Sequence, residues 1–537
     1  MSGGEIRNCK GGSGGGVHVY EATFVMSGGT ISGCTADTGG GLCAEKSSTV
    51  TISGGTISGC SASKGGGLYA DNSIVTINKG TISGCKAVNG YGGGLYAQNY
   101  STVTIEGGTI SGCDASAGVG AGGGLYATNQ STITINNGTI SGCTAGVGGG
   151  LYATNSSEIT ISGGTISECT AADNGGGLYA TNQSTINISD GIISGCKGVL
   201  GCGLYATNSP EITISGGIIS GCTGLRGGGL YADNSTVTIS GGTISGCKVG
   251  AGGGLFVTGS TLNIEGGTIS ECSTTLDSGK GGGLYAENSI ITISGGTIEN
   301  NEAARGGGVA LTKSTVKKDE QPIRNWTVVG NKAYKTGGGI WLGENVKWDI
   351  SDRTKQIYNN QAIEHGADIC LERSNSAIKL PIAANMYHDS SINIDNWYKD
   401  DNPRHKPSES GEVVKANKWL NGGLSLVASY TVIPVHIEID ANGGVGGSGS
   451  QTVHEGTTVT LEAPTKEGHL FKGWEDEKGN SYPAGEDGKV NITVNENMKL
   501  TAVWEARTFT VTYVLLNGET RTETVAYGQT VTLGEEQ

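Results

Sequence analysis

The segment GGGLYATNSSEITISGGTISEC, from Gly148 to Cys169, decides the fold because residues 9 to 360 repeat it with variations. It contains three short runs, GGGLYA, EITI and GTISEC, in which apolar residues alternate with small or polar ones. Asparagine, serine and glycine pairs separate the runs, and these residues are typical of turns. The segment therefore predicts three short strands joined by three corners.

A unit of this length cannot bury a hydrophobic core by itself. Ile159 and Ile161 point to one side of their strand and Thr160 to the other, so one face of the strand is expected to be buried. Each unit can complete its strand hydrogen bonds against a copy of itself about 4.8 Å away. The repeat therefore predicts an all-β chain whose units, called coils below, stack into a parallel β-solenoid.

Equivalent positions of successive coils are expected to form columns along the solenoid. One column carries a cysteine in the pattern I-x-x-C every 25 to 30 residues, followed by an asparagine in the last coils. Its predicted members are Cys9, Cys34, Cys60, Cys85, Cys113, Cys143, Cys169, Cys196, Cys222, Cys247, Cys272, Asn301, Asn331 and Asn360. These fourteen positions predict about fourteen coils, with the asparagine side chains hydrogen-bonded to one another and to the backbone.

The cysteine spacing argues against the usual roles of cysteine-rich sequences. Thiols placed once per coil lie along a line and cannot surround a zinc ion, so no metal is expected on this column. Parallel side chains about 4.8 Å apart also fit a relaxed disulfide poorly, although a few bridges stay open. We expect mostly reduced, buried thiols that pack as small hydrophobic groups.

Composition excludes several classes of protein. The chain has 537 residues, a formal charge of −15 and 98 glycines, without a Gly-X-Y period. The negative charge and the lack of a basic run argue against nucleic acid as a partner. No apolar stretch approaches 18 residues, so no transmembrane segment is expected. Both ends are expected to be truncated, because Met1 falls almost directly into a repeat and Gln537 ends partway through a motif.

The repeat pattern divides the chain into four predicted parts. Residues 1–373 form the β-solenoid, and 374–431, where the period is lost, form a C-terminal cap and linker that protect the last coil. Residues 432–506 form a small β-rich domain with strands such as VHIEID and KLTAVW around the turn DANGG. Residues 507–537 begin a second copy that stops before its GW segment.

Two stretches resemble known families. I-x-x-(C/N) followed by GGG-(L/V/I)-(Y/A/W), over residues 1 to about 385, resembles the pectate-lyase-like right-handed parallel β-helix repeats of bacterial surface and adhesin proteins. Residues 439–504, with NGG at Asn442, GHLFKGW at Gly468 and LTAVW at Leu500, are similar to the Listeria–Bacteroides repeat of internalin-type proteins. These resemblances imply a right-handed helix, a β-grasp-like second domain and a secreted, cell-surface or cell-wall location. The cysteine column departs from the first family, which more often carries asparagine there.

The residue after the leucine of GGGL is nearly always aromatic and is expected to point outward. The predicted aromatic row consists of Tyr69, Tyr96, Tyr126, Tyr152, Tyr179, Tyr205, Tyr231, Phe256 and Tyr285. A line of rings about 4.8 Å apart could bind the sugar units of an extended glycan, or the rings could simply stabilise one another as a ladder. Both interpretations stay open from the sequence.

No catalytic constellation stands out in the sequence, so we expect a non-enzymatic, monomeric protein without cofactors that binds glycans or host surface proteins. A polysaccharide-degrading lyase or hydrolase remains an alternative, with its active coil between Ser314 and Asn402, and a purely structural spacer is another. The threonine pairs of the exposed strands suggest ice binding only weakly, since Glu158 and Ile74 interrupt the row. Asp395, Asp400 and Asp401 form a minor candidate calcium loop.

Overall fold

The coils of the repeat region build three parallel faces in the computed structural model of this chain. The structure describes residues 1–537 except 119, 209–210, 318–325, 351–354, 374, 381–391, 401–418, 422–423, 433, 455–456, 486–487, 495–496, 515–518 and 532–537. These described residues contain strands and turns but no α-helix. The predicted all-β parallel solenoid of about fourteen coils is confirmed.

The first face, called the LYA sheet, is built from the strands that follow each glycine triplet. Its parallel strands are Val17–Tyr20, Leu42–Glu45, Leu68–Asp71, Leu95–Gln98, Leu125–Ala127, Leu151–Ala153, Leu178–Thr181, Leu204–Thr207, Leu230–Asp233, Leu255–Thr258, Leu284–Glu287, Val309–Thr312, Ile340–Leu342 and Ile369–Leu371. Equivalent residues pair directly, as Leu125 with Leu151 and Tyr126 with Tyr152. The sequence columns are therefore physical rows.

The second face, the isoleucine sheet, contains two strands per coil. The first of each pair is Thr23–Met26, Thr49–Ile52, Ile74–Ile77, Thr102–Ile105, Thr132–Ile135, Ile212–Ile214, Thr236–Ile239, Thr315–Val316, Lys347–Asp349 or Ala377–Lys379. The second is Glu5–Arg7, Thr30–Ser32, Thr56–Ser58, Thr81–Ser83, Thr109–Ser111, Thr139–Ser141, Ile218–Ser220, Thr243–Ser245, Trp326–Val329 or Lys355–Tyr358. In four coils the two join into one strand, at Glu158–Ser167, Thr185–Ser194, Thr261–Ser270 and Ile290–Glu299.

The third face consists of short strands that follow the cysteine column. One group is Thr35–Thr38, Ser61–Lys64, Lys86–Tyr91, Asp114–Ala115, Thr144–Ala145 and Thr170–Ala171. The other is Lys248–Val249, Ser273–Thr274, Glu302–Arg305, Lys332–Thr336 and Gln361–Ala362. Single parallel bridges at Lys197 and Thr223 continue the face between the two groups.

The core of the solenoid is a narrow stack of small and branched side chains. Leu151, Ala153, Ile159 and Cys169 of one coil have no exposed surface, and the same positions are buried in the neighbouring coils. The third glycine of each triplet leaves room for the next coil. A Cβ atom on Gly150 would lie 2.6 Å from the Gly177 oxygen, 2.8 Å from Ile166 Cγ2 and 3.3 Å from Cys169 Sγ.

The solenoid ends where that glycine is replaced. Asp368 takes the position of Gly339 in the last coil, and the Ile340 N–H donates to its carbonyl oxygen at 2.8 Å. Its buried carboxylate accepts hydrogen bonds from the Asn360 backbone N–H at 3.1 Å and from Asn360 Nδ2 at 2.8 Å. In the earlier coils, each asparagine donates its backbone N–H and its Nδ2 to Oδ1 of the next asparagine. Asp368 Oδ1 accepts the same two hydrogen bonds from Asn360, the last asparagine of the column.

Antiparallel strands cover the edge of the last coil. Leu424–Val432 pairs antiparallel with Ile369–Leu371 in the LYA sheet, with Ile392–Lys399 beyond it, and Trp419–Asn421 pairs antiparallel with Ala377–Lys379. A parallel coil added at this end would find its hydrogen-bonding edge already occupied. The described strands within the predicted cap, residues 374–431, therefore protect the edge of the last coil, as a solenoid requires.

A second compact unit follows from residue 430. Its five-stranded sheet has the spatial order Gly449–His454, Pro434–Asp440, Met498–Ala506, His469–Asp476, Ser481–Pro483. Pro434–Asp440 and Met498–Ala506, which come first and last of these strands along the chain, lie side by side in this sheet and pair parallel. Thr457–Glu462 pairs with Lys489–Val494, and Thr508–Val514 pairs with Thr520–Ala526. Trp474 of the GW motif is buried in the core of this unit, against the apolar residues of these strands.

The glycine triplet gives a first test of the packing. Gly150→Ala is expected to lower the free energy of unfolding by about 1–3 kcal/mol, because the new methyl group overlaps the next coil. Gly12→Ala is the control, since a Cβ atom there would meet nothing within 4 Å. Urea denaturation followed by circular dichroism measures both, and an equal response of the two variants would contradict this packing.

Asp368 gives a second test, at the end of the asparagine column. Asp368→Ala is expected to destabilise the last coil by about 1–3 kcal/mol, because the buried Asn360 donors lose their acceptor. Asp368→Asn retains an acceptor oxygen and should lose less. Hydrogen exchange of Lys355–Tyr358 and Ile369–Leu371 measures the effect, and identical exchange in both variants would show that the carboxylate is not the cap.

Candidate functional site

The aromatic row is the first surface to consider, and its rings stack directly on one another. Successive ring centroids from Tyr69 to Phe256 lie 4.7 to 5.4 Å apart. Most pairs are close to parallel, with interplanar angles such as 9° for Tyr96 and Tyr126 and 10° for Tyr126 and Tyr152. The row thus forms a continuous ladder along the LYA sheet.

Stacking leaves the ring faces with little surface for a ligand. Six of the nine rings are buried, and Tyr126, Tyr152 and Tyr179 are half-buried. Strand alternation puts the rings on the face opposite the leucine and alanine of each LYA strand. Each ring face is covered by the next ring, so a sugar would meet ring edges and hydroxyls. Burial raises the pKa of Tyr96 and Tyr205 to about 12.

A second surface is the corner between the LYA sheet and the isoleucine sheet. An open groove of about 770 Å³ follows this corner, with amide side chains of five successive coils along it. Its asparagines are Asn99, Asn129, Asn155, Asn182 and Asn208. Asn129 Nδ2 donates to Asn99 Oδ1 at 3.0 Å, and Asn155 Nδ2 donates to Asn129 Oδ1 at 3.2 Å.

The backbone explains the choice of asparagine at this corner. Asn129 and Gln130 have φ angles of 54° and 61°, in the left-handed region that asparagine tolerates better than most residues. The amides are thus used first to build the corner and to join one coil to the next. Their contribution is structural, and the groove offers regular but mostly satisfied polar groups.

The third surface lies where the aromatic ladder is interrupted. The column continues from Tyr285 through Ala310 to Trp341, so a small residue leaves a gap between two rings. The Lys280 ammonium fills this gap, 5.5 Å from the Tyr285 centroid and 4.9 Å from the Trp341 centroid. Burial lowers the pKa of Lys280. One cation is thus held between two aromatic rings in a partly desolvated position.

Two clefts share Lys280. One has a volume of about 330 Å³ and is lined by Leu225, Arg226, Gly250, Ala251, Phe256, Leu276, Ser278, Lys280, Tyr285 and Glu287. The other has a volume of about 260 Å³ and is lined by Lys280, Arg305, Thr312, Trp341, Gly343, Glu344, Glu372 and Arg373. Their linings combine aromatic rings, cations and carboxylates, and we call them together the Lys280 cleft.

Local sequence changes create the Lys280 cleft. The loop between Cys272 and the following triplet leucine, Leu284, is four residues longer than the loop from Cys247 to Leu255. Its Leu276 side chain is 49% exposed. The next ring also departs from the stack, because Phe256 and Tyr285 meet edge to face at 89°. The regular ladder therefore ends where the clefts begin.

The polar groups of the cleft are only partly paired. Arg305 Nε lies 3.9 Å from Glu372 Oε1, and the Arg226 guanidinium lies 5.6 Å from the Phe256 centroid. Tyr285 Oη donates to Glu287 at 3.4 Å. The buried Trp341 Nε1–H has no acceptor among the described residues. Donors, acceptors and aromatic rings at this density match a ligand with hydroxyl groups and apolar CH faces.

The cysteine column is an internal structural element. Its described members from Cys34 to Cys272 are buried, Cys9 is exposed, and all fourteen cysteines of the chain are free thiols. The Cys113 thiol donates to the Ser111 carbonyl at 3.4 Å. Complete burial and hydrogen bonding to backbone carbonyls suit an inert packing group rather than a nucleophile.

The asparagine column replaces those thiols with a hydrogen-bonded chain. Asn301 Nδ2 donates to Asn331 Oδ1 at 3.0 Å, and Asn331 Nδ2 donates to Asn360 Oδ1 at 3.0 Å. Asn301 Oδ1 also accepts the Cys272 backbone N–H at 2.9 Å. The amides are thus bonded to one another and to the backbone in the expected manner.

Of the three aspartates of the candidate calcium loop, the structure describes the side chain of Asp400 alone. The Asp400 side chain is buried and its Oδ2 accepts the Ala367 backbone N–H at 2.7 Å. Asp401 and the side chain of Asp395 lie outside the described residues. Part of the Ser314 to Asn402 region, the alternative location for an enzyme site, is also outside them.

Sequence reasoning missed Arg226, Lys280 and Trp341 as site residues. Trp341 is visible in GGGIWL, but Ala310 interrupts the aromatic pattern before it. Two features of the sequence could have indicated the cleft: the longer loop before Gly281, and the replacement of the column's tyrosine by Ala310 and then Trp341. Irregularities in a repeat, rather than its consensus, carry this information.

The architecture and the regular columns agree with comparisons to known families. The model of the right handed beta helix region matches residues 2–119, 63–225 and 177–362, and the chain belongs to this family. The divergent InlB B-repeat domain matches residues 433–508. Among curated proteins and solved structures, no significant match to the chain is found. The chain is therefore a modular repeat protein, a right-handed parallel β-helix followed by an internalin-type repeat.

The aromatic ladder gives a third prediction. Tyr152→Ala removes ring contacts of 5.1 Å with Tyr126 and 4.9 Å with Tyr179. Each pair contributes about 0.5–1.5 kcal/mol, so the free energy of unfolding should fall by about 1–3 kcal/mol. Tyr152→Phe preserves both contacts and should change it by less than about 0.5 kcal/mol. Chemical denaturation compares the two, and unchanged stability of Tyr152→Ala would argue against a ladder.

Proposed function

We propose that this protein is a non-enzymatic surface module that binds glycans through the Lys280 cleft of its β-helix. The observation that carries the proposal is the interrupted ladder, in which Lys280 lies between the rings of Tyr285 and Trp341. Elsewhere in the row the rings cover one another. Here aromatic, cationic and carboxylate groups border open clefts of 330 and 260 Å³.

A carbohydrate fits the mixed lining better than a purely anionic ligand does. Four cations and three carboxylates line the two clefts, so the charges are close to balance; they are Arg226, Lys280, Arg305 and Arg373 with Glu287, Glu344 and Glu372. Carboxylates accept hydrogen bonds from sugar hydroxyls, and guanidinium groups donate to ring and hydroxyl oxygens. The apolar side chains Leu225 and Phe256 add surface for the CH faces of a sugar.

The modular composition supports a location outside the cell. Internalin-type repeats and β-helix repeats both resemble parts of secreted or wall-attached bacterial proteins, and here they occur in one chain. In such a protein the second unit acts as a stalk and the β-helix as the displayed ligand-binding part. None of the described segments forms an apolar helix of the length needed to span a bilayer.

A glycan array probed with the full chain tests the proposal. The expected result is binding to one or a few related glycans, reduced about tenfold or more by Arg226→Gln and by Lys280→Gln, since charged hydrogen bonds contribute about 1.5–3 kcal/mol. Lys64→Gln is the matched control, because Lys64 also lies over a ring, 5.5 Å from the Tyr96 centroid, but outside the cleft.

The other outcomes separate the alternatives. Equal binding by wild type and both cleft variants would place the ligand elsewhere on the solenoid. Cleavage of a bound glycan, detected as new reducing or unsaturated ends, would favour an enzyme. Absence of binding to every glycan on the array would favour a structural spacer.

A further inference from the structure

The N-terminal end of the aromatic row carries different residues from the rest. The column begins with His18 and Cys43 before the first ring, Tyr69, and strand pairing places His18 directly opposite Cys43 and Cys43 opposite Tyr69. Cys43 does not belong to the internal I-x-x-C column, which contains Cys34 and Cys60. Two residue types that commonly bind metals thus replace tyrosine at neighbouring positions of one row.

A carboxylate completes this group. Glu45 follows Cys43 by two residues, so strand geometry puts both side chains on the same face of the LYA sheet. His18 Nε2 lies 3.0 Å from Glu45 Oε2. The candidate ligand atoms of His18, Cys43 and Glu45 all lie within 4.8 Å of one another. Among the described residues, no other set of three histidine, cysteine or acidic side chains comes together in this way.

We propose that His18, Cys43 and Glu45 bind a divalent transition-metal ion, with zinc as the best match. Zinc prefers a thiolate, an imidazole nitrogen and a carboxylate oxygen at about 2.0–2.3 Å. A tetrahedral ion with such bonds needs ligand atoms about 3.3–3.8 Å apart. The observed group lies within small rotamer changes of that arrangement, whereas calcium or magnesium would not select a thiol.

The surroundings leave these ligands accessible to an ion. The His18 and Glu45 side chains are 39% and 25% exposed, so an ion can enter from solvent. Cys43 is buried below them and packs with Tyr69 and Tyr96. Thr38 Oγ1 lies 3.8 Å from the Cys43 sulfur.

The neighbouring carboxylate of the next coil is already engaged. Asp71, which occupies the position of Glu45 one coil further on, accepts Gln98 Nε2 at 3.0 Å and Asn99 Nδ2 at 2.8 Å. Glu45, by contrast, is paired with His18 in the same face. Both Asp71 oxygens are thus hydrogen-bonded to amides, whereas the partner of Glu45 is an imidazole that can itself bind a metal ion.

A bound ion would connect the strand Val17–Tyr20 with Leu42–Glu45. Coordination by residues of two coils would add a cross-link to the backbone hydrogen bonds that already pair these strands. The inferred role is a metal staple between two successive coils of the solenoid.

Cobalt(II) titration of the chelator-treated full chain tests this site. The expected result is one cobalt ion per chain with a thiolate-to-cobalt charge-transfer band, displaced by zinc. Cys43→Ser should abolish the band, and His18→Ala should weaken cobalt binding about tenfold or more. Because His18 is exposed, its variant remains folded and keeps the test meaningful. Cys202→Ser is the control, since Cys202 is buried outside this group.

Hydrogen exchange gives a second readout. Zinc should slow exchange of Val17–Tyr20 in the wild type and leave it unchanged in His18→Ala. Absence of cobalt and zinc binding at one ion per chain would overturn the proposal. A charge-transfer band that persists in Cys43→Ser, or that is lost in Cys202→Ser, would also overturn it by placing the metal on other thiols.

Discussion

Backbone hydrogen bonds between coils fix the register and spacing on which the rest of the solenoid depends. The backbone N–H of Leu151 donates to the Gly177 oxygen at 2.9 Å, and that of Thr170 donates to the Cys143 oxygen at 2.9 Å. Bonds of this kind fix each coil directly over the next, at the spacing of neighbouring strands. Every side chain of a coil must therefore tolerate a near copy of itself at that distance.

Each column meets this requirement in a different way. Glycine at Gly150 has no Cβ atom and admits the next coil. Thiols such as Cys113 pack as small neutral groups, and the amides of Asn301 and Asn331 donate to and accept from one another. Tyrosine rings present parallel faces. Repeated ionised side chains could not be buried in such rows without strong repulsion, which explains why the regular columns are neutral.

Function is therefore expected where a column breaks rather than where it repeats. In the regular stack each ring face is covered by the next ring. Ala310 takes the place of one ring, and Lys280 from the longer loop occupies the space that this leaves. At the other end, His18 and Cys43 replace the first two rings. Both departures put charged groups, or residue types that commonly bind metals, on a face whose regular part is covered by stacked rings.

The sequence by itself determined the fold, the number of coils and the members of each column, because a short period with alternating polarity has one way to satisfy its hydrogen bonds. It also gave the two modules and the change from cysteine to asparagine. Tertiary structure alone decided that the tyrosine faces cover one another, that Asp368 accepts the last asparagine donors, and that Lys280 reaches the gap at Ala310. The period of the repeat specifies which residues share a row. Burial and side-chain direction depend also on the loops, whose lengths and sequences differ from coil to coil, so the repeat does not predict their paths.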